Sequence, residues 1–424
     1  MMLINYFKRK NIGIVDFLSY ILIFSIFMGS NFIKFSLFGV KFNLSRILLL
    51  FFPLFLFINN FLKRNTKNFN FCDKWLKGIV YFFILWSIFS VLSFYKCKDI
   101  MFYFTVNFYI CIGTLNILSF VKFVDIKKNI NNFFKIIVFA VFINCLYYLW
   151  LYYVNNQDIG GFYYNANDLA TVLLLAIPIL IYLIFNYKKT NGCKFTGIVV
   201  YYFVVLSIFL FSFINICSRG CVIGGIIAIV LFFCGIISQK KGKKYISRNN
   251  VMFVTMFILI LLSLLILFFK KYVGFINFKP IDNALTSNEV RVNLIYNGLY
   301  FLRNGFNLLT GIGTGNTIYY LKNYSIFSIH NTYSFHNFWL EILVEYGLVI
   351  FLLFLTQYII ICFKLFKNGK KSIINISNVF LVFLLAFVLA SVSSSSMLTR
   401  EWLWIIFAII ISYINQLQVR DKIK

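Results

Sequence analysis

Long apolar runs recur along almost the whole length of this 424-residue chain. Each run spans roughly 17 to 25 residues, the length that an α-helix needs to cross about 30 Å of hydrocarbon. With 61% hydrophobic and 12% charged residues, a water-soluble fold would have too little polar surface to cover such a chain. Because backbone polar groups must be satisfied internally within a bilayer, these runs predict an all-α, polytopic transmembrane helical bundle.

The hydropathy pattern predicts about twelve spans within a single integral membrane domain that covers residues 1–424. The predicted spans run near Ile12–Asn31, Ile47–Leu62, Gly78–Phe94, Met101–Val121, Phe133–Val154, Leu169–Asn186, Gly197–Ile216, Gly220–Ser238, Val251–Phe269, Phe338–Phe363, Ile373–Ser393 and Trp402–Ile414. The first run is full length and lacks a small-residue cleavage site, so no cleavable signal peptide is expected.

The distribution of basic residues predicts the orientation of these spans. If the N-terminus is cytoplasmic, most of the 40 Lys and Arg residues fall in seven segments on that same side. This positive-inside bias predicts a multi-pass protein of the cytoplasmic (inner) membrane with both termini cytoplasmic. It also explains the net charge of +28 better than nucleic-acid binding does, because the charges form no single groove or helix face.

The sequence has no pattern typical of a metal or redox cofactor. Its nine cysteines are scattered, and none form a Cys-x-x-Cys pair. No Asp-x-Asp pair is present to hold the metal of a nucleotide sugar. We therefore expect no metal site, no cofactor and no obligatory disulfide.

One polar segment, residues 270–337, interrupts the spans and predicts a large, partly helical extracytoplasmic loop before the tenth span. Thr286 to Glu289 have the spacing of a capping box at the start of a helix. Arg291 would lie in the first turns of this helix, either as a solvated charge or as an anion ligand. The apolar residues expected near one face of the helix are Val290, Leu294 and Phe301.

The two histidines of the chain, His330 and His336, both lie in this loop. His336 precedes the long apolar helix that is predicted to begin near Asn337. The positive end of the helix dipole there favours a neutral imidazole, which can accept a proton near pH 7. His330 lacks that position, although His330-Asn331 repeats the same dipeptide.

Two carboxylates and three glycines complete the polar residues near His336. Glu341 and Glu345 are four residues apart and should share one helix face. Carboxylates at membrane depth indicate a function or, alternatively, pairing with Lys or Arg. The glycines match neither the dinucleotide fingerprint nor the P-loop, and they predict a flexible turn or a backbone nest for an anion. They are Gly311, Gly313 and Gly315.

Two further polar turns lie at the predicted outer ends of spans. Arg219 lies in a tight turn before Gly220, where a cation either snorkels to the interface or binds an anion such as a diphosphate. Asn165, Asn167 and Asp168 precede another span. We expect Asn167 or Asp168 to cap its helix, while hydrogen bonding to sugar hydroxyls is the alternative.

Together these motifs resemble those of the O-antigen ligase and O-antigen polymerase family of bacterial membrane proteins. The resemblance extends from about Asn165 to Leu353, and the earlier spans match only in number and hydropathy. The motifs that carry it are Asn165-x-Asn167-x-Leu169-Ala170, Ser218-Arg219-Gly220, Arg291 with Gly311-x-Gly313-x-Gly315, His336-Asn337-x-x-Leu340 and Glu345-x-Gly347-Leu348.

The resemblance implies an inverting, metal-independent glycosyltransferase whose donor is an undecaprenyl-diphosphate-linked glycan. In that scheme His336 deprotonates the acceptor hydroxyl, while Arg219 and Arg291 bind the diphosphate. The residues implied in supporting roles are Glu345, Asn337, Glu341, Asn167 and Gly313. The implied partners are the donor, a glycan or lipid-linked acceptor, membrane lipids, flippases and chain-length regulators.

Several reactions fit this resemblance. Polymerisation of repeat units into O-antigen, capsule or wall polymer is favoured because it requires one kind of lipid carrier. A ligase that transfers a finished glycan to lipid A core or another acceptor is the alternative. A flippase or transporter would share the basic, polytopic character, but it predicts repeat symmetry and a charged central cavity, which are not evident. A structural scaffold predicts that His336 and both arginines are dispensable.

Overall fold

A computed structural model describes residues 13–37, 40–62, 74–157, 160–163, 165–191, 197–216, 221, 225, 287–303, 305–369, 375–392 and 396–423. Within these residues the fold is the polytopic helical bundle that the apolar runs predicted. The predicted span at 251–269 lies outside the described residues, as does that at 220–238 except for residues 221 and 225. Every other predicted span coincides with a helix.

Seven helices are long and apolar enough to cross a membrane, and shorter apolar helices accompany them. The helices that match predicted spans are α1 (Ile14–Met28), α2 (Leu44–Leu62), α3 (Lys74–Leu92), α4 (Ile100–Phe123), α5 (Ile126–Val154), α6 (Ala166–Asn191), α7 (Gly197–Ile216), α11 (Phe338–Gly369), α12 (Ile376–Ala390) and α13 (Glu401–Ile423).

A short antiparallel hairpin joins α1 to α2 and was not predicted from the sequence. Its strands are β1 (Lys34–Leu37) and β2 (Val40–Asn43), with Lys34 opposite Asn43. Strand pairing satisfies backbone polar groups of this connection. The hairpin is a small local departure from the all-helical expectation.

The centre of the bundle is α6, which packs against α5, α7 and α12. Its side chains from Leu169 to Ile184 are almost all buried, because its sequence is apolar around the whole circumference. Next to it, α13 packs along α4. The ring of Trp86 lies 5.5 Å from that of Tyr346 and 5.9 Å from that of Trp404, so aromatic packing joins α3, α11 and α13.

The described part of the polar segment contains α8 (Ser287–Phe301), α9 (Asn307–Thr310) and α10 (Thr317–Tyr324). As predicted, Leu294 and Phe301 are buried on one face of α8, and Val290 packs against the same apolar cluster. The cluster includes Leu340 and Val344 of α11. The segment is therefore packed directly onto the first turns of a membrane span.

Candidate functional site

Polar side chains from several helices meet at one end of the bundle. The Arg400 guanidinium, just before α13, lies 3.0 Å from the Asp168 carboxylate in the first turn of α6. Near the start of α2, Arg46 lies 3.4 Å from Glu401. The Tyr109 hydroxyl of α4 donates to the same Glu401 carboxylate at 3.1 Å. These contacts bring the first residues of α2, α6 and α13 together. The order of the predicted spans places the starts of these three helices on the same side of the membrane.

The predicted base, His336, lies at this end of the bundle, immediately before the residue that caps α11. The Asn337 side-chain oxygen accepts hydrogen bonds from the backbone N–H groups of Trp339 at 3.1 Å and Leu340 at 3.2 Å. Asn337 is therefore the N-cap of α11, and the predicted start of this helix is confirmed. His336 has a φ of +48°, a conformation that non-glycine residues seldom adopt.

The positive charge of Arg291 acts on the imidazole of His336, as the predicted site requires. Burial and, secondarily, the positive charge of Arg291 lower the pKa of His336 from its ordinary value of 6.5. Both effects disfavour the imidazolium ion. Because the pKa is lowered, the imidazole is neutral near pH 7 and can accept a proton.

The carboxylate of Glu345 connects the glycine turn to α11. One carboxylate oxygen accepts a hydrogen bond from the Thr317 hydroxyl at 2.7 Å, and the other accepts one from the Gly315 N–H at 3.1 Å. The Gly313 N–H donates to the backbone carbonyl of Glu345 at 3.1 Å. Among the described residues, the anion that a backbone N–H of the glycine turn binds is thus the protein's own carboxylate.

The glycines allow this close approach. Gly311 and Gly315 both have a φ of +71°, and a Cβ at Gly311 would collide with the Glu345 carbonyl. Gly347 interrupts the regular helical conformation of α11 with a φ of +76°. A side chain there would collide with the Leu309 carbonyl. The predicted flexible turn is wrong, because residues 311–317 form a buried, tightly packed turn.

Glu341 is buried one turn before Glu345, on the same face of α11 as predicted. Its carboxyl group hydrogen-bonds with the backbone of Met397 and interacts with the charge of Arg400. The charge of Arg400 thus acts on Glu341, while the ion pair that the structure records for Arg400 is with Asp168. Arg400 was not among the predicted site residues, although the Arg400-Glu401 pair at the edge of an apolar run was a usable signal.

The predicted cap of α6 was assigned to the wrong residue. The Asn165 side-chain oxygen accepts a hydrogen bond from the Asn167 N–H at 2.9 Å, so Asn165 performs the capping. Asn167 is half-buried in the first turn, while Asp168 is fully buried and paired with Arg400. Because Arg400 is distant from Asp168 in sequence, the ion pair was not predicted, and Asp168 was expected to cap the helix.

The second predicted arginine, Arg219, lies outside the described residues. Cys221, two residues later, is buried, and its sulfur lies 3.6 Å from the Thr171 hydroxyl of α6. The other histidine, His330, is exposed on the loop. Of the predicted site residues that are described, the structure places Arg291 where its charge acts on His336, and it buries Glu341, Glu345 and Gly313 in α11 and the glycine turn.

Two comparisons with known proteins show what this chain resembles. A family model described as O-Antigen ligase matches residues 203–355, which include Arg291, His336 and Glu345. The chain is 23% identical over 382 residues to the teichuronic acid biosynthesis protein TuaE of Bacillus subtilis (strain 168). That alignment covers 83% of this chain and 75% of the relative. Together they confirm the resemblance to the O-antigen ligase and polymerase family that the sequence motifs predicted.

Proposed function

We propose that this protein is a membrane glycosyl-transferring enzyme that polymerises undecaprenyl-diphosphate-linked repeat units into a surface polysaccharide. The family match supports a membrane glycan ligase or polymerase, and the similarity to TuaE favours a cell-wall polymer as the product class. We place the reaction on the outer face of the cytoplasmic membrane, with both termini inside, because the basic residues follow the positive-inside rule.

The observation that carries this proposal is the half-buried position of His336 directly before the N-cap of α11, where the charge of Arg291 also acts on the imidazole. A neutral imidazole can remove the proton from an acceptor hydroxyl as the oxygen attacks the anomeric carbon of the donor. Arg291, together with Arg219, would stabilise the charge that develops on the departing diphosphate. Direct displacement of this kind inverts the configuration at that carbon.

In this proposal the remaining site residues hold the reactive groups in position. Asn337 caps α11 directly after His336, and Glu345 fixes the glycine turn to the same helix. Glu341 interacts with Arg400 beside the start of α6, where Asn167 lies in the first turn. These contacts would restrain the imidazole relative to bound substrates, which is how positioning residues assist a transfer reaction.

A size analysis of products tests the reaction class. Purified protein in lipid vesicles is incubated with a diphosphate-linked repeat unit alone, and the products are separated by size. A ladder of products is expected, because polymerisation needs no other acceptor. A single transfer that occurs only after a second acceptor is added would identify a ligase instead. Movement of intact donor across the vesicle membrane without bond formation would identify a transporter and refute the proposal.

The Arg291→Gln substitution should shift the pH dependence of the reaction. Arg291 helps to lower the pKa of His336, so removing its charge raises that pKa. A base works only when it is deprotonated, and its rate therefore falls as the pH decreases through its pKa. The acidic limb of the rate profile, measured at saturating donor, should move to higher pH in the variant. An unchanged limb would show that another group limits the rate.

A further inference from the structure

From Val292 onward the exposed face of α8 is apolar, although this helix lies in the polar segment of the chain and exposed Glu289 precedes the apolar side chains on the same face. The exposed fractions of its outward side chains lie between 38% and 53%. They follow the i, i+3, i+4, i+7 spacing of a continuous helical stripe. The stripe consists of Val292, Ile295, Tyr296 and Leu299. The opposite face is also largely apolar, so α8 has two apolar faces, one covered by the protein and one open.

The open face continues onto the loop that follows α10. The buried Asn297 side chain accepts hydrogen bonds from the N–H groups of Ile326 and Phe327, and it donates one to the Phe327 carbonyl. These bonds fix the exposed Ile326 and Phe327 side chains next to the stripe, with the Phe327 ring 5.4 Å from that of Tyr296. Specific hydrogen bonds therefore hold the apolar side chains of this loop beside those of α8.

The position of α8 on α11 sets its depth relative to the membrane. A Cβ at Gly298 would lie 3.2 Å from Val344 and 3.3 Å from Leu340, so α8 packs side-on against the first turns of this span. The uncharged part of α11 ends at Lys364. Counting back roughly 20 residues, the length of a span, places the other hydrocarbon boundary near Val344.

A second group of exposed apolar side chains lies at a similar depth relative to the membrane. Phe306 is 80% exposed, and Leu308 and Leu309 are 49% and 46% exposed. The Leu309 carbonyl lies against Gly347 of α11, next to the estimated boundary. The Lys96 ammonium, at the end of a predicted span, donates to Thr310 and to the Gly311 carbonyl at 2.7 Å. Both apolar groups thus lie where a lipid leaflet would meet the loop.

We propose that α8 and the Phe306–Leu309 segment lie in the membrane interface, with their open apolar side chains among the phospholipid acyl chains of the leaflet at the Phe338 end of α11. Helices that lie in the membrane interface commonly bury exposed apolar side chains in this way. Phospholipid is favoured as the occupant because the surface is apolar and adjoins a span at the hydrocarbon boundary. The proposal also places Arg291 at the depth of lipid headgroups.

Photo-crosslinking in lipid tests this placement. Benzoylphenylalanine replaces Ile295 in the full-length protein, which is reconstituted as single copies in phosphatidylethanolamine and phosphatidylglycerol nanodiscs. After irradiation, mass spectrometry identifies what is attached at this position. We expect a phospholipid adduct at position 295 and another when the label replaces Leu308. The matched control carries the label at Asn323, an exposed polar position beside exposed Lys322, where the lipid adduct should be lost.

Three results would overturn the proposal. A crosslink from position 295 to another part of this chain would show that the stripe is covered internally. Equal lipid labelling at positions 295 and 323 would show that the label reports general proximity to the disc. When the irradiation is repeated in native membranes, a crosslink to another protein with no lipid adduct would identify a protein interface. Matching thermal unfolding of all labelled proteins establishes that each one is folded.

Discussion

We expect the Arg400→Ala substitution to lower the free energy of unfolding by about 3–5 kcal/mol, the usual loss when one partner of a buried ion pair is removed. The side chain of Asp168 is completely buried, and that of Arg400 is 15% exposed. Without the guanidinium, Asp168 would remain as a buried carboxylate without its cation, and Glu341 would lose the same neighbouring charge. The change is measured by equilibrium unfolding with SDS in bicelles.

A double substitution separates the charge effect from the loss of packing. Asp168→Asn combined with Arg400→Gln removes both charges and retains similar side-chain volumes. Its loss of stability should be smaller than that of Arg400→Ala alone, because no unpaired charge stays buried at this contact. If Arg400→Ala unfolds at the same SDS fraction as the wild-type protein, the ion pair does not hold α6 and α13 together.

The His336→Ala substitution should reduce the rate of glycan transfer by a factor of about 10²–10⁴, the contribution typical of a positioned general base. The loss should appear in the rate at saturating donor, because the proposed diphosphate ligands are unchanged. Imidazole added to the variant should restore part of the rate, and this recovery should increase with the neutral fraction of imidazole. Single-turnover measurements of donor consumption determine both effects.

The spans were predictable because the bilayer imposes a simple requirement on sequence. A helix that crosses hydrocarbon needs a long apolar run, and such runs are visible without knowledge of the packing. The start of α11 was also predictable, since a capping residue, Asn337, followed by an apolar run is a local signal for the start of a helix. The hairpin between α1 and α2 was missed because a short, mixed connection carries little periodicity.

The inner arrangement of the site could not be read in the same way, because it depends on contacts between distant residues. Asp168 and Arg400 are far apart in sequence, so their pairing becomes evident only when α6 and α13 are adjacent. The glycine turn looked flexible because its partner, Glu345, lies on the next span. By contrast, the influence of Arg291 on His336 was expected, because the family resemblance assigns both residues to one site.

The central claim is that His336 acts as the base in glycan transfer, and its most direct test compares the initial rates of donor consumption in three proteins. They are the wild-type protein, His336→Ala and the matched control His330→Ala, which removes the exposed histidine from the same dipeptide. We predict that His330→Ala retains the wild-type rate and that His336→Ala loses nearly all of it. A His336→Ala protein as fast as His330→Ala would contradict the claim.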